Sequence, residues 1–265
     1  MDAGALRARL APVYPRLDVV RSTGSTNADL RDAASGDAPD RTLLIAGEQT
    51  AGVGRRSRGW MSPAGGLYLS VLLRPSDVPA AQLGSVAVIA GLALLRTVRA
   101  LGVDAVLKWP NDLLAGTARA KCAGILCEAV PTPEMSVIVG IGLNTAPLGA
   151  AVAGPGGLPA TSLAEHGVTA SRTEIAAELL TAFAGLEAPW RAARGDLAAG
   201  GVLASYRDAC DTIGRDIRIE GVGETVYHGR AVDVDTSGSL ILQSSDGRRQ
   251  AFSAGDVVHL RSTME

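Results

Sequence analysis

The sequence has very few lysines, asparagines and aromatic residues. Only two of its 25 basic residues are lysines, Lys108 and Lys121, and its only asparagines are Asn27, Asn111 and Asn144. Aromatic residues make up 3% of the chain, whereas alanine, glycine and arginine are abundant. This bias indicates coding pressure and says nothing about the fold. Against that background, each lysine or asparagine that remains marks a position where we expect substitution to be resisted.

Other absences exclude whole classes of protein. A formal charge of −2 and a pI near 6.0 argue against a dedicated nucleic-acid binder, which would carry a strong basic excess. No apolar run approaches the roughly 20 residues that span a bilayer, and the N-terminal segment lacks the apolar core of an export signal. The three cysteines form no C-x-x-C pair. We therefore expect a soluble cytoplasmic protein with no structural zinc, no nucleic acid and no membrane partner.

The pattern of apolar segments predicts two domains. Strands are predicted at 17–20, 43–46, 67–74, 105–109, 123–130 and 136–143, and helices at 28–34, 80–101 and 173–193, the last interrupted by Pro189. These segments indicate an α+β domain over residues 1–212. Short strands between Gly, Ser and Asp turns then predict a small β-barrel over 213–265. Residues 146–160 are almost all Ala, Gly, Pro and Leu, which predicts a loop.

A glycine- and arginine-rich segment runs from Glu48 to Trp60. It contains Gly52, Gly54, Arg55, Arg56 and Arg58. Glycines let the backbone approach a ligand, and arginines supply permanent charge and forked donors that suit phosphate or carboxylate. The spacing matches neither the dinucleotide fingerprint nor the phosphate loop. A solvated basic turn is the alternative, but the flanking Gln49 and Trp60 favour a binding site.

Lys108 and Lys121 lie on either side of one turn, which falls in the segment KWPND at 108–112. Pro110 ends the strand, and Asn111 with Asp112 then has turn chemistry. An amide and a carboxylate at a strand end can serve nucleotide phosphate and magnesium. An ordinary turn beside a surface lysine is the alternative. However, the two lysines lie only 13 positions apart, which favours a functional site.

Two more segments combine small and polar residues. Ser25, Thr26 and Asn27 stand between a strand and a helix, where they can cap the helix or bind the polar end of a small ligand. Gly140 and Gly142 lie on a predicted strand and permit either tight packing or close ligand approach. The histidines have no metal-ligand spacing, and no serine has a nucleophile-elbow context. A covalent mechanism is therefore not indicated.

As a set, these motifs resemble the catalytic domain of biotin–protein ligases. They are STN, Q-x-x-G-x-G-R-R-x-R-x-W, K-W-P-N-D, K-x-A-G-I-L and G-I-G-L-N, in this order. The resemblance runs from about 17 to 261 and implies a mixed-sheet, class II synthetase-like domain with packed helices and a C-terminal SH3-like barrel. It also implies that ATP and magnesium activate biotin as biotinyl-5'-AMP. The biotinyl group then passes to a lysine of a biotin carboxyl carrier domain of a biotin-dependent carboxylase.

The resemblance also implies a role for individual residues. Biotin contacts are expected at Ser25, Thr26, Asn27, Gln49, Gly52, Val53, Gly54, Arg55, Lys121, Gly124, Gly140 and Gly142. ATP contacts are expected at Arg56, Arg58, Trp60, Lys108, Asn111 and Asn144, with Asp112 associated with magnesium. Lys121, Arg55 and Arg56 are expected to be catalytic through their charge. The 146–160 segment resembles an adenine-side loop of the family.

The chain departs from the family loop GRGRRGR at two positions. Val53 replaces an arginine, which removes one cation near the intermediate, and Ser57 replaces a glycine. Ser57 is strained if its position requires a positive φ. We expect these two changes to affect loop closure, and so the retention of biotinyl-adenylate.

Two other functions stay open at the level of sequence. A lipoate–protein ligase also adenylates a carboxylate, although its glycine- and arginine-rich signature differs. A non-catalytic biotin-binding regulator would bind ligand without forming an adenylate. Only about 20 residues precede the STN motif, too few for the DNA-binding domain of the family's repressors. We expect a monomer or a weak homodimer.

Substitution of Lys121 tests the assignment of the cationic site. Lys121→Ala removes the ammonium expected beside the biotin carboxylate and the α-phosphate, so adenylate formation should be abolished. The measurement is biotin-dependent exchange of pyrophosphate into ATP. Exchange near the wild-type rate in this variant would contradict the assignment.

Overall fold

The computed structural model describes residues 1–133, 135–149, 158–221 and 225–260. Its first sheet has seven strands: β1 (Leu17–Val20), β2 (Thr42–Ala46), β3 (Leu67–Leu73), β4 (Ala105–Lys108), β5 (Asp112–Ala115), β6 (Ala120–Val130) and β7 (Ser136–Leu143). Their order is β1-β2-β3-β7-β6-β5-β4. The β1–β2 pair is parallel and the other pairs are antiparallel, so the sheet is mixed, as predicted.

Five helices accompany this sheet in the described part of the chain. They are α1 (Ala3–Leu10), α2 (Thr26–Ala34), α3 (Val86–Ala100), α4 (Arg172–Ala192) and α5 (Leu203–Ala209). Helices α1, α3 and α4 share one hydrophobic core with one face of the sheet. Helix α2 packs on the opposite face, where Leu30 and Ala34 contact a second, smaller core. Because α2 is only nine residues long, it covers only part of that face.

The helical stretch Ala80–Ala100 corrects the expectation that no apolar run approaches the length of a membrane span. A 3-10 helix at Ala80–Ser85 leads into α3, and together they are long and apolar enough to span a membrane, with a mean hydropathy of 1.6. The most apolar window is 72% buried inside the protein, against α4 and the sheet. This stretch is therefore a core helix, as its composition predicted.

Side-chain alternation along β7 divides the sheet into two unlike faces. Val137, Val139 and Ile141 belong to the main core, whereas Ile138 belongs to the small core beneath α2. Gly140 and Gly142 follow Ile138 at two-residue intervals and so share its face. Beyond the end of α2, this face therefore presents glycine instead of bulky side chains.

A second sheet follows the first domain. It contains β8 (Asp216–Glu220), β9 (Val226–Val234), β10 (Leu240–Gln243), β11 (Arg249–Phe252) and β12 (Asp256–His259), all antiparallel, in the order β11-β10-β9-β8-β12. The expected strands form, but the barrel is not closed. Strand β12 pairs with β8 on one side and, among the described residues, has no strand partner on the other.

The second sheet is tied to the end of β4. Asp211 N donates to Leu107 O (2.8 Å), Trp109 N donates to Thr212 Oγ1 (3.0 Å), and Trp109 Nε1 donates to Gly238 O (3.0 Å). Trp109 is 2% exposed, so its indole is buried between the first sheet and the second. The domain boundary near residue 212 stays a prediction.

Several elements differ from the sequence prediction. Strand β5 follows β4 as a hairpin after the predicted turn, and α1 and α5 were not predicted. The prediction that Pro189 interrupts α4 was wrong, because the helix continues to Ala192. Pro189 lies in the last turn, beside the fully buried Trp190, and tertiary contacts hold the helix there against the lost hydrogen bond.

A buried ionic network anchors that end of α4. Glu187 is 1% exposed and lies 2.6 Å from both Arg41 and Arg191. Arg191 also lies 2.8 Å from Asp40. The network joins α4 to the segment before β2, and removing one partner of a buried pair leaves the opposite charge poorly solvated.

Glu187→Ala should therefore destabilise the protein by about 3 kcal/mol, the lower end for a broken buried pair, because both arginines keep some contact with water. Urea unfolding followed by circular dichroism measures the change. Glu178→Ala is the matched control on the same helix, because it breaks an exposed pair with Arg9. Equal losses of stability in the two variants would contradict the role of the buried network.

Candidate functional site

A cavity of about 320 Å³ opens over the glycine-bearing face of the first sheet, below the glycine- and arginine-rich segment and against the second sheet. Most residues that the sequence marked lie around it. These are Ser25, Thr26, Asn27, Gln49, Val53, Gly54, Arg55, Arg58, Trp60, Lys108, Asn111, Asp112, Lys121, Gly124, Gly140 and Gly142. The fold thus gathers five separate sequence segments into one site.

Three glycines form the floor of the cavity. Gly124 on β6 pairs directly with Gly142 on β7, and Gly140 lies two residues away. A Cβ atom at position 142 would lie 2.5 Å from Trp60 Nε1, and one at position 124 would lie 3.2 Å from Trp60 Cζ3. At position 140 a Cβ would overlap the amide of Asn27. An added Cβ would thus clash with Asn27 at position 140 and with Trp60 at position 142, and would crowd Trp60 at position 124.

One end of the cavity is polar and uncharged. Gln49 Oε1 accepts from Thr26 N (2.9 Å) and Thr26 Oγ1 (3.1 Å), while Gln49 Nε2 donates to Ser62 Oγ (2.9 Å). Ser25 occupies the N-cap position of α2, but its side chain makes no capping bond. Its hydroxyl lines the cavity and is 7% exposed, so it is available to a ligand.

The other end of the cavity is cationic. Lys121 Nζ lies 2.6 Å from Asp112 Oδ1 and 5.1 Å from the centroid of the Trp60 ring. Lys108 Nζ donates to Val257 O at 2.6 Å. Burial lowers the pKa of Lys108, against the opposing effect of the Asp112 carboxylate. Two ammonium groups thus meet at the edge of the glycine floor.

Three arginines cover this end and converge on one carboxylate of the second sheet. Arg58 Nη2 lies 2.8 Å and Arg56 Nη1 3.2 Å from Asp256, while Arg55 Nη1 donates to Gly255 O at 3.0 Å. Burial alone would raise the pKa of Asp256, but the Arg58 guanidinium, followed by Arg55 and Arg56, holds it below its ordinary value. Asp256 therefore acts as an internal anion for the arginine-rich segment.

The backbone of this segment is strained where the sequence departs from glycine. Ser57 has φ +56° and Arg56 has φ +54°, both in the left-handed region. A non-glycine residue there costs about 1 kcal/mol. Ser57 is therefore strained, because its position does have a positive φ. Val53, the other departure, is 46% exposed at the mouth of the cavity and brings no charge.

Some predicted residues do not reach the cavity. Arg56 binds the second sheet, and Gly52 is a packing position, because a Cβ there would lie 2.5 Å from Trp60 O. Asn144 is 3% exposed and donates to Thr161 O (3.0 Å). Asn111 does line the cavity, but its amide donates to Ile125 O (2.7 Å). The roles assigned to these residues stay predictions.

The predicted 146–160 loop lies partly outside the described residues, since 150–157 are not among them. The end of this segment pairs with the start of β6. Lys121 N donates to Pro159 O (2.7 Å) and Thr161 N donates to Lys121 O (3.0 Å). This parallel bridge satisfies both backbone polar groups of Lys121.

The sequence did not mark several residues that line the cavity. The second sheet supplies Arg218, Glu220, Asp256, Val257 and Val258, and the first sheet supplies Leu69, Ile125, Leu126 and Ile141. No local spacing marks Asp256 as functional, because its partners lie about 200 positions earlier in the chain.

The chemistry of the cavity suits an anionic ligand that also has an uncharged polar end. Trp60 Nε1 is buried and, within the described ranges, has no hydrogen-bond acceptor, which leaves one donor for a ligand or for water. The described residues contain no group of three His, Cys, Asp or Glu side chains that would form a metal cage. Asp112 is the carboxylate nearest to Lys121.

Comparisons with known proteins show similarity over most of the chain. Residues 18–144 match the model of the biotin/lipoate A/B protein ligase family, and residues 212–260 match the biotin protein ligase C-terminal domain. The chain is 42% identical to the biotin–acetyl-CoA-carboxylase ligase of Mycobacterium tuberculosis, over 98% of this chain and 96% of that protein. A similar ligase of Paracoccus denitrificans is 35% identical over 89% of this chain and 97% of its own length.

The fold is also similar to that of solved structures. The biotin protein ligase of Aquifex aeolicus, in complex with biotin and ATP, superposes with a TM-score of 0.76 at 24% identity. The alignment covers 94% of this chain and all of that one.

Substitution of the glycine floor should displace Trp60. In Gly142→Ala the new methyl group would lie 2.5 Å from Trp60 Nε1, so the indole should turn towards solvent. Acrylamide quenching of tryptophan fluorescence should increase, because Trp109 and Trp190 are 2% and 0% exposed and contribute little. Gly185→Ala in α4 is the control, since no heavy atom lies within 4 Å of its Cβ position. Unchanged quenching in Gly142→Ala would contradict this packing.

Proposed function

The chain belongs to the biotin protein ligase family, and from that premise we propose how its own residues carry out the reaction. The protein is an ATP-dependent ligase. In the first step the carboxylate of biotin attacks the α-phosphate of ATP, and pyrophosphate leaves as biotinyl-5'-AMP forms. In the second step a lysine amine attacks the activated carbonyl, and AMP leaves. One observation carries the assignment of residues: the same cavity joins a glycine floor with a neutral polar end to a cluster of cations.

The first step must bring two anionic groups together. Lys121 lies at the junction between the floor and the cationic end, held by Asp112 and by the face of Trp60. Its ammonium therefore stands where the biotin carboxylate approaches phosphate, and it stabilises the charge that develops there without transferring a proton. Arg55, whose side chain is 21% exposed, adds a second positive charge.

The arginine-rich segment binds the triphosphate of ATP. Arg58 and Arg55 line the cavity, and both face Asp256. Phosphate oxygens are better partners for guanidinium than one partly solvated carboxylate, because they offer more acceptors and more charge. ATP binding would therefore exchange the internal anion Asp256 for phosphate.

Magnesium would enter as the partner of ATP. Magnesium is usually held by one or two carboxylates together with substrate phosphates, so a full protein cage is not needed. Asp112 fits this requirement as one carboxylate on the cavity wall, beside the lysines. The ion would neutralise phosphate charge, while Asp112 would divide its interaction between the ion and Lys121.

The acceptor of the biotinyl group is a biotin carboxyl carrier domain of a carboxylase, the partner on which this family acts.

Three free cysteines, of which Cys122 and Cys210 are buried, are consistent with a reducing cytoplasm. Burial raises the pKa of Cys122 to about 12, so its thiol is unreactive beside Lys121.

Intact-mass analysis tests the reaction and the partner class together. The protein is incubated with biotin, ATP and magnesium, with and without a biotin carrier domain, and lipoate replaces biotin in a parallel sample. The carrier should gain the mass of one biotin only when ATP is present. Transfer of lipoate in preference to biotin, or biotin binding without adenylate, would overturn the proposal.

A further inference from the structure

The amide of Asn27 lies across three strands at the neutral end of the cavity. Ser70 on β3 pairs with Gly140 on β7, and Gly140 pairs in turn with Leu126 on β6. Asn27 is 5% exposed and lies directly over Gly140, in contact with both neighbouring strands. Its side chain is therefore part of the floor, and its orientation decides which atoms a ligand meets.

The hydrogen bonds of this amide are almost fully committed. Asn27 Nδ2 donates to Glu128 Oε2 (2.6 Å) and to Leu126 O (3.2 Å), which uses both of its hydrogens. Ser70 Oγ donates to Asn27 Oδ1 (2.6 Å). One lone pair on Oδ1 is left, so Asn27 can offer a ligand an acceptor but no donor.

Glu128 fixes this orientation together with the Leu126 carbonyl, and Glu128 makes the shorter, charge-assisted bond. An asparagine amide can turn over and exchange its oxygen and nitrogen at little steric cost. A carboxylate accepts hydrogen bonds only, so Glu128 permits the orientation that points Nδ2 towards it and Oδ1 away. Arg31 Nη2 lies 2.8 Å from Glu128 Oε1 and holds the carboxylate in place from outside the cavity.

The neutral end then matches one chemical group. Asn27 Oδ1 is an acceptor, while the hydroxyl of Ser25 is 7% exposed, makes no capping bond and can donate. A cyclic urea has N–H donors beside a carbonyl acceptor, and biotin carries such a urea at the end opposite its carboxylate.

We propose that Glu128 is a positioning residue for biotin, which acts through Asn27 by fixing the amide oxygen as the acceptor of a ureido N–H. This inference rests on the proposed function. Glu128 itself does not line the cavity, and no motif in the sequence marked it or Ser70.

A double-mutant cycle tests the proposal in the full-length protein. Glu128→Ala should raise the KM for biotin about tenfold, as expected when a charge-assisted hydrogen bond that orients a ligand group is lost. The kcat and the KM for ATP, from the same pyrophosphate exchange assay, should stay within about twofold, because the cationic end is untouched. In an Asn27→Ala background, Glu128→Ala should change the KM for biotin by less than about twofold, because the positioned group is absent.

Two conservative comparisons sharpen the test. Glu128→Gln keeps an acceptor oxygen but allows the amide pair to turn over, so its KM for biotin should lie between those of the wild type and Glu128→Ala. Glu178→Ala is the matched control, because it also removes a glutamate paired with arginine, on the far helix α4. Its KM for biotin should equal that of the wild type.

Additive effects of Glu128→Ala in the two backgrounds would overturn the positioning role. So would an unchanged KM for biotin, or a parallel rise in the KM for ATP together with a lower melting temperature, which would indicate a structural role. A wild-type protein without biotin-dependent exchange would overturn the proposed function and this inference with it. An active wild type with unaltered Glu128 variants would overturn the inference alone.

Discussion

The site depends on the absence of three Cβ atoms from one face of the central sheet. Because Gly124 and Gly142 are paired and Gly140 is adjacent, the sheet offers a flat surface in the middle of an otherwise well-packed fold. Trp60 and Asn27 occupy that surface. The Trp60 ring lies beside the ammonium of Lys121, and Asn27 presents an amide oxygen. The floor therefore lies between a cationic end and a neutral end, as a ligand with one charged and one neutral end requires.

The second sheet is part of the same site. It supplies the carboxylate that gathers the arginines, and the backbone carbonyl of Val257 that binds Lys108. Without these contacts the guanidinium groups would repel each other, and the strained backbone at Arg56 and Ser57 would lack its anchor. In the proposed function ligand phosphate would compete with Asp256 for the same charges, which would couple ATP binding to the docking of the second sheet.

Most buried polar groups around the cavity have hydrogen-bond partners within the protein, which hold their orientation. A few have none and can bond to a ligand. Asn27, Gln49 and Ser70 have nearly complete sets of partners, whereas Trp60 Nε1 has no acceptor among the described residues. Such a network lowers the entropic cost of binding, since the protein groups that meet a ligand are already oriented.

Local sequence patterns were enough to predict all the strands except β5, three of the five helices and the segments that carry the site, because side-chain periodicity and glycine or proline punctuation act over a few residues. The scarcity of lysine and asparagine also marked much of the cavity, but not all of it: Lys108, Lys121 and Asn27 line it, whereas Asn144 bonds to backbone elsewhere. Only the tertiary structure decided which distant groups meet. Asn27 and Glu128 are 101 positions apart, and Arg56 and Asp256 are 200 apart. Contacts of this kind depend on strand register and on the docking of one sheet against another, and no local spacing in the chain records them.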